Sequence, residues 1–427
     1  KNNLYGWFKY TWKNYKNTMN QLDKFKKYIN DRKDNVKVGL VGAGQMGQGI
    51  VAQISKMYGV DLVCIVDRNQ NQLQKATDRY RNLKNNDMVC SDSISALDDV
   101  ELDIVIEATG TPAAGAAVAK NVLSRGINLI LLNVETEATI GLALRKEAEK
   151  NGAVITVADG DEPVAALDLY NFAMELSFEV VSIGKGKNNP FNRYATPDLL
   201  AKEAISKKMN PKMLTSFVDG SKTMVEMAAL ANFLDFEIDI DGMHGIEATY
   251  ENINQYYIPK KDGGLLESSQ VVDFAFGIAP GVFAVIYSED DYVNYEMEYL
   301  KMGKGPFWTL ARPYHLTSLE IPRTIRHIML EKYSKLSANS WNVEVVAYAK
   351  QDIEPGTNLG SIGGDYIYGK AQKSSSSKGF LPLGIAEDNV VNKLIKKGDP
   401  LMVSEIDAQD NVLCEYWKKQ NEILDSY

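Results

Sequence analysis

The feature that most limits what this chain can fold into lies close to its start. An apolar run, Val36-Lys-Val-Gly-Leu-Val41, passes straight into Gly42-Ala-Gly-Gln-Met-Gly47 and then into a helix-like stretch from Gly49 to Met57. A second apolar run, Leu62 to Val66, ends on Asp67, twenty positions beyond Gly47. Glycines so spaced permit a tight turn, close approach of backbone to a pyrophosphate, and close packing of helix on strand. The helix start adds free N–H groups and the positive end of its dipole. The pattern predicts a dinucleotide crevice built from Gly42, Gly44, Gln45, Met46 and Gly47. Asp67 is suited to accept from ribose hydroxyls, which favours NAD, while Arg68 beside it suits a 2′-phosphate, which favours NADP. Both cofactors stay open.

The strand–helix rhythm continues to residue 159. A polar helix is expected from Gln70 to Leu83, then a strand at Ile104–Ile106 leading to Glu107-Ala-Thr-Gly110. A helix from Ala113 to Ser124, a strand at Leu129–Leu132, a helix from Ile140 to Lys150 and a strand at Val154–Val157 come next. Buried strands alternating with amphipathic helices predict an α/β fold with a doubly wound parallel sheet, the Rossmann type. Ligands of such sheets lie outside the carboxyl ends of the strands, so Thr109, Gly110, Asn133 and Glu135 are expected beside the nicotinamide.

Past Asp159 the rhythm breaks, and a helix is expected only from Ser221 to Phe233, among short strands such as Glu179–Ile183 and Phe283–Tyr287. The expected domains are a helical extension over 1–34, a dinucleotide-binding domain over 35–159, an α+β catalytic and dimerisation domain over 160–337, and a small β-rich domain over 343–427. Residues Ala338 to Asn342 read as a linker, and Ser374 to Ser377 as a flexible loop.

Composition excludes several classes. Lys plus Arg is 47 against 56 Asp plus Glu, a net charge of −9, which provides no electrostatic footprint for nucleic acid. The longest apolar run, near Ile127 to Leu132, is far shorter than the roughly 20 residues of a membrane helix, so no membrane partner is expected. Three scattered cysteines form neither a disulfide framework nor a zinc site and fit a reducing, cytoplasmic compartment. The start of the chain lacks the apolar segment of a secretory signal.

Reducing a carbonyl by hydride creates an alkoxide, which needs a proton donor or cation within hydrogen-bond reach. The middle of the chain concentrates such groups: Asp159-Gly-Asp-Glu-Pro163, Gly184-Lys-Gly-Lys-Asn-Asn-Pro190, Asp219-Gly-Ser-Lys222, Gly242-Met-His244-Gly and Arg312-Pro-Tyr-His315. Lys185 and Lys187, read as lying on a flexible glycine loop with Asn188, suit an anionic group of the substrate. His244 and Arg312 are further substrate-binding candidates.

These motifs, together with Asp219-Gly-Ser-Lys-Thr-Met-Val-Glu-Met-Ala228 and Arg312-Pro-Tyr-His-Leu-Thr-Ser-Leu-Glu320, resemble the homoserine-dehydrogenase-like oxidoreductases with a C-terminal SAF domain, a group that includes 1-deoxy-D-xylulose 5-phosphate reductoisomerase-like enzymes. Asp352-Ile-Glu-Pro-Gly-Thr-Asn-Leu359 and Leu394-Ile-Lys-Lys-Gly-Asp-Pro-Leu401 are similar to SAF domains. The resemblance implies NAD(P)-dependent oxidoreduction of a small hydroxy or carbonyl compound, of the phosphorylated sugar or polyol kind, in a homodimer. It implies Lys222 as the catalytic group with Asp219 beside it; His315 and Glu162 are further catalytic candidates on the residues themselves. Glu135, Asp161 and Glu162 are then carboxylates able to hold a divalent cation, Mg or Mn. Homoserine dehydrogenases carry a lysine where this chain reads Asn133-Val-Glu135, which argues against homoserine as substrate. Homoserine oxidation and a cofactor-binding sensor without turnover are the alternatives.

Overall fold

The computed structural model describes residues 20–84 and 87–426. The part of the expected 1–34 helix before residue 20, with its aromatic residues Tyr5 to Tyr15, lies outside the described residues. The remainder of that stretch forms a helix, Gln21–Arg32, whose Phe25 and Ile29 are buried. It packs on the helix Ile321–Glu331, and Arg32 ties it down through a two-pronged contact to Asp103 at 2.8 and 2.7 Å.

The first half folds into six strands: β1 (Val36–Val41), β2 (Val60–Val66), β3 (Val89–Ser91), β4 (Ile104–Glu107), β5 (Asn128–Leu131) and β6 (Ile155–Val157). Their spatial order is β3-β2-β1-β4-β5-β6, and every pairing is parallel. Crossovers through the helices Gln45–Ile54, Gln70–Arg81, Pro112–Leu123 and Val134–Lys150 cover both faces, which is why these strands read as near-continuous apolar runs. Chain order reverses between β1 and β4, so the crevice opens where the glycine loop sits. This is the Rossmann arrangement that the sequence pattern predicts.

Three local expectations change. The strand β3 is short and half exposed, and its sequence carries no apolar run to mark it. The helix after β5 begins at Val134, not Ile140, because Asn133 caps it by accepting from Thr136 N; at Ile140 the backbone departs from helical angles (φ −139°), and the sequence pattern resumes only beyond that kink. The first crossover helix begins at Gln45, directly on the glycine loop.

The second half is built on a mixed sheet ordered β11-β10-β7-β9-β8, from β7 (Glu179–Lys187), β8 (Ile246–Glu247), β9 (Val271–Phe276), β10 (Val282–Tyr287) and β11 (Phe307–Arg312). The helices Glu162–Glu175 and Ser221–Leu234 pack against one of its faces. The other face holds a core around Tyr257, Ile253 and Phe283.

The final segment pairs β12 (Val343–Ala349) with β13 (Ile367–Lys373) antiparallel, and adds the short pair β14 (Val390–Val391) and β15 (Ile406–Asp407). It does not hang from a flexible tether. Residues 338–342, expected as a linker, are fixed: Asn232 receives Asn342 N and Val343 N on its Oδ1, its carbonyl receives Asn339 N and Ser340 N, and Trp341 is buried. Ser374–Ser376 forms a short 3-10 turn, not an open loop. Residues Val345, Ala347 and Leu383 share one hydrophobic core with Met224 and Met227 of the helix Ser221–Leu234 and with β5 and β6. The last helix, Val412–Asp425, returns to the first half, where Gln420 Nε2 donates to Thr139 O at 3.0 Å.

Candidate active site

The glycine loop has the shape its sequence demands. Gly42 adopts φ +97°, and a Cβ there would sit 2.5 Å from Ala108 O; a Cβ on Gly47 would sit 2.2 Å from Gly42 O. Around Gly44 nothing lies within 4 Å of an added Cβ, so the crevice is open at that point. Gly44 also heads the helix Gln45–Ile54 without a side-chain cap, leaving donors free for an anion. Gln45 is exposed and Met46 half-buried at that helix start. Donor set and open space therefore fit a dinucleotide pyrophosphate.

Asp67, at the end of β2, turns its carboxylate back onto the loop, with Oδ2 accepting from Ala43 N at 2.6 Å and Oδ1 from Asn69 N at 2.7 Å. Arg68 is exposed beside it. At the end of β4, Thr109 and Gly110 are exposed. Just before them stands Glu107, fully buried and absent from the residues expected from sequence. Its Oε1 accepts from Thr109 N at 2.7 Å and from the Thr109 hydroxyl. Burial pushes its carboxyl up to about 7, against the pull of those hydrogen bonds. Asn133 completes this rim by donating from Nδ2 to Thr111 O at 2.8 Å.

Beyond β5 and β6, at the carboxyl edge of the same sheet, a dense charged cluster joins the two halves. Glu135 comes from the helix start after β5, Asp161 and Glu162 from the turn after β6, Lys185 from β7, and Lys222 and Glu226 from the helix Ser221–Leu234. Lys222 Nζ lies 2.9 and 3.1 Å from the two Glu135 oxygens and 3.9 Å from Glu226 Oε1. Lys185 Nζ is 2.8 Å from Glu162 Oε1 and is also bonded to Glu226. His315 Nε2 stands 3.5 Å from Glu162 Oε1, and its Nδ1 is 3.2 Å from Gly160 O.

The electrostatics of the cluster follow from charge and burial. Burial disfavours the Lys222 ammonium, yet Glu135, Glu226 and Asp161 outweigh it and hold its pKa above the usual lysine value. Lys185 is raised in the same way by Glu162 and Glu226. Burial, reinforced by Glu226, lifts Asp161 well above the ordinary carboxylate range, and burial with Glu162 nearby lifts Glu226. Glu162 goes the other way, because Lys185 and His315 overcome its burial. Four carboxylates against two ammoniums leave two formal negative charges when His315 is neutral. Asp161, Glu162 and Glu226 each bring an oxygen within 4.8 Å of the others, so this donor set fits a divalent cation.

Several expected site residues lie elsewhere. The stretch from Gly184 to Lys187 is not a flexible loop but the end of β7, and Lys185 is occupied by two carboxylates, so it cannot grip an anion without breaking both contacts. Lys187 donates instead to Phe217 O, and the loop begins only at Asn188, which is exposed. Asp219 is buried against Lys350 of the last segment at 2.8 Å and accepts from Ser221 N, so it anchors the start of the Lys222 helix instead of touching Lys222. His244 pairs with Asp239 at 2.7 Å, among residues near β9. Arg312 is bonded to Glu320 and reaches Asp168 at 3.5 Å, within a separate network of Asp159, Asp168, Glu320, Arg323 and Lys335. That network braces the turn carrying Asp161 and Glu162. Glu226 belongs to the cluster although sequence reasoning passed it over; its signal was a lone carboxylate one helical turn after Lys222 in an otherwise apolar helix.

Comparison with known proteins agrees with both halves. Residues 42–158 match the family described as homoserine dehydrogenase, NAD binding domain, and residues 160–321 match the family described as oxidoreductase DRL, catalytic domain. No curated protein matches the chain. Among solved structures, an oxidoreductase from Agrobacterium radiobacter, in complex with NAD+, L-tartaric acid and magnesium, is similar at 15% identity over 37% of this chain and 46% of its own, with a TM-score of 0.31. A dehydrogenase from Chromobacterium violaceum is similar at 22% identity over 38% of this chain and 46% of its own (TM-score 0.29). An oxidoreductase from Desulfitobacterium hafniense, described as a putative NADPH-dependent enzyme, shares 12% identity over 70% of this chain and 89% of its own (TM-score 0.42). The chain spans under half the length of the first two. Residues 42–158 and 160–321 are thus each similar to an oxidoreductase domain family, and neither match spans half of the chain.

Proposed function

We propose that the chain transfers hydride between a nicotinamide dinucleotide and a small hydroxy or carbonyl compound of the phosphorylated sugar or polyol kind, at the cluster around Lys222. The observation that carries this reading is the position of that cluster. Its members come from both halves of the molecule and meet at the carboxyl ends of β5 and β6, where a ligand of this sheet lies. The dinucleotide supplies the hydride acceptor or donor.

In the oxidation direction the substrate C–H pair leaves as hydride, and the hydroxyl proton passes to a carboxylate of the cluster. Lys222, its proton held tightly by Glu135, acts as a fixed cation that stabilises charge on the reacting oxygen. Asp161, whose hold on a proton is strengthened by burial and by Glu226, is the proton-accepting carboxylate of this scheme, while Glu162 stays charged beside Lys185 and His315. Glu135 orients Lys222, and Asp219 fixes the turn from which the Lys222 helix springs. Asp161, Glu162 and Glu226 would hold a divalent cation, Mg or Mn, which when bound supplies Lewis-acid polarisation of a carbonyl. That donor set supports a reductoisomerase-like reaction within the same reading. The 343–427 segment is read as a SAF-like module and the working unit as a homodimer.

A screen of hydroxy acids, polyols and sugar phosphates, monitored by nicotinamide absorbance with both dinucleotides and with and without Mg, tests the proposal. Activity is expected on a phosphorylated compound, and Lys222→Ala is expected to lower turnover at least about a hundredfold with dinucleotide affinity unchanged. Turnover unaltered in that variant removes Lys222 from the reaction.

A further inference from the structure

Glu107 is a buried carboxylate at the crevice that the reaction scheme leaves unused. It is the last residue of β4, has no exposed surface, and meets no cation within ion-pair distance among the described residues. Its Oε1 receives both donors of Thr109, the backbone N–H at 2.7 Å and the hydroxyl. Its Oε2 is enclosed without a hydrogen-bond partner among the described residues. Glu135, the charged group that faces it, has the same sign and adds to the penalty of burial. An enclosed carboxylate with one orphan oxygen is costly, and a neutral side chain would cap Thr109 N at lower cost. Groups kept at such a cost are found where a site uses them.

The use of Glu107 follows from what it leaves Thr109 able to do. A threonine has two donors, its N–H and its hydroxyl, and here both go to Glu107. Thr109 is exposed at the carboxyl end of β4, so towards the crevice its hydroxyl oxygen only accepts. The residue stands at the glycine loop, since a Cβ on Gly42 would lie 3.0 Å from Thr109 N. The sheet order β2-β1-β4 puts Asp67 on one side of that loop and Thr109 on the other. A dinucleotide held at the loop by its pyrophosphate extends its adenosine half over β2 and its nicotinamide riboside half over β4. Both ends of the crevice then carry acceptors, with the free donors of the helix Gln45–Ile54 between them. The nicotinamide riboside offers matching donors, its ribose hydroxyls and its carboxamide amine.

We infer that Glu107 is a positioning residue for the dinucleotide: by accepting both hydrogen bonds that Thr109 can donate, it holds the threonine oxygen as the acceptor for an O–H or N–H of the nicotinamide riboside. The inference rests on the dinucleotide reading of the crevice and is independent of which substrate reacts at Lys222. Charge on Glu107 strengthens the contact, because a hydroxyl that donates to an anion is polarised into a better acceptor.

Isothermal titration of NADH and of ADP into the full chain tests the inference, since ADP lacks the nicotinamide riboside. Titrations at about pH 8 keep Glu107 charged, above the value of about 7 to which burial raises it. Thr109→Val, at an exposed position, is expected to weaken NADH at least about fivefold and to leave ADP unchanged, while Thr109→Ser keeps wild-type affinity for both. Glu107→Leu is expected to match Thr109→Val, and Glu107→Gln, which keeps the shape and a neutral acceptor, to weaken NADH about two- to threefold with ADP unchanged. In the Thr109→Val background, Glu107→Gln is expected to add nothing, because Glu107 acts through the hydroxyl that is gone. Reduced 3-acetylpyridine adenine dinucleotide, which lacks the carboxamide amine, separates the donors: continued sensitivity to Thr109→Val assigns the ribose hydroxyl, and lost sensitivity assigns the carboxamide. Equal losses of NADH and ADP, unchanged NADH affinity in Thr109→Val, or additive losses in the double variant overturn the inference while the dinucleotide reading stands. Wild-type protein that binds neither ligand defeats the dinucleotide reading and this inference together.

Discussion

Replacing Lys222 by methionine keeps the length of the side chain and removes its charge. Glu135, bonded to Lys222 through both oxygens at 2.9 and 3.1 Å and only 9% exposed, is left facing Glu226 and Asp161 with no cation between them. Breaking a buried pair from one side costs about 3–5 kcal/mol, because the remaining charge stays desolvated. The cluster can relieve that cost only by taking up a proton. In the variant, the carboxyl pKa in the fold is raised above its unfolded value of about 4.3, so the folded state binds more protons and stability falls as pH rises through that window. In the wild type, Lys222 has a raised pKa, and its contribution is complete at any pH below the unfolded lysine value of about 10.4, so it stays flat over the same range. The deficit of Lys222→Met is therefore expected to be largest near pH 8 and to shrink by about 1.4 kcal/mol per pH unit for each proton gained, to roughly 1–2 kcal/mol near pH 5.5. Thermal midpoints of both proteins at the two pH values read this directly, with a gap of roughly 4–5 °C expected at the higher pH. An identical gap at both pH values, or no gap, refutes the charge accounting.

Gly47→Ala forces a Cβ to within 2.2 Å of Gly42 O, so the loop must open, and dinucleotide affinity measured by NADH fluorescence is expected to fall at least about tenfold, or about 1.4 kcal/mol. An unchanged affinity would mean that the loop does not hold the pyrophosphate. Glu344, buried and bonded to Trp341 Nε1 and Val345 N, is pushed up to about 8 by that burial, so its folded-state pKa exceeds the unfolded value and the wild type loses stability as pH rises towards 8. Glu344→Gln has no charge to gain; its stability relative to wild type is expected to improve by ~1 kcal/mol per unit between pH 5 and 8. Parallel pH profiles for the two proteins would contradict this.

The dinucleotide half was legible because its cues are local. Strand, glycine turn, helix and terminal aspartate fall within about thirty residues, and each is dictated by backbone sterics. The charged cluster around Lys222 was legible only in part. Lys222, Glu162 and His315 carried recognisable motifs, but Glu226 had none beyond its place one turn from Lys222. Glu107 sits at the end of an apolar strand, where a carboxylate gives no sign of being enclosed. Lysines next to glycines suggested a loop at residues 184–187, although the same alternation of small and long residues builds a strand when neighbouring strands close over it; a Cβ on Gly184 would press within 1.7 Å of Asp273 O on β9. Nor does local sequence reveal which charge a lysine meets. Lys185, Lys350 and Arg312 look equally free in the sequence, and each finds its carboxylate through tertiary packing.

The most direct test of the account is a crystal structure of the full chain with reduced dinucleotide. The nicotinamide ring is expected in the crevice between the glycine loop and the turn carrying Asp161, with its reactive carbon turned to the space bounded by Lys222, Glu162 and His315. A ring exposed to bulk solvent, or lodged on the far side of the sheet from Lys222, would contradict the assignment of this cluster as the place where hydride moves.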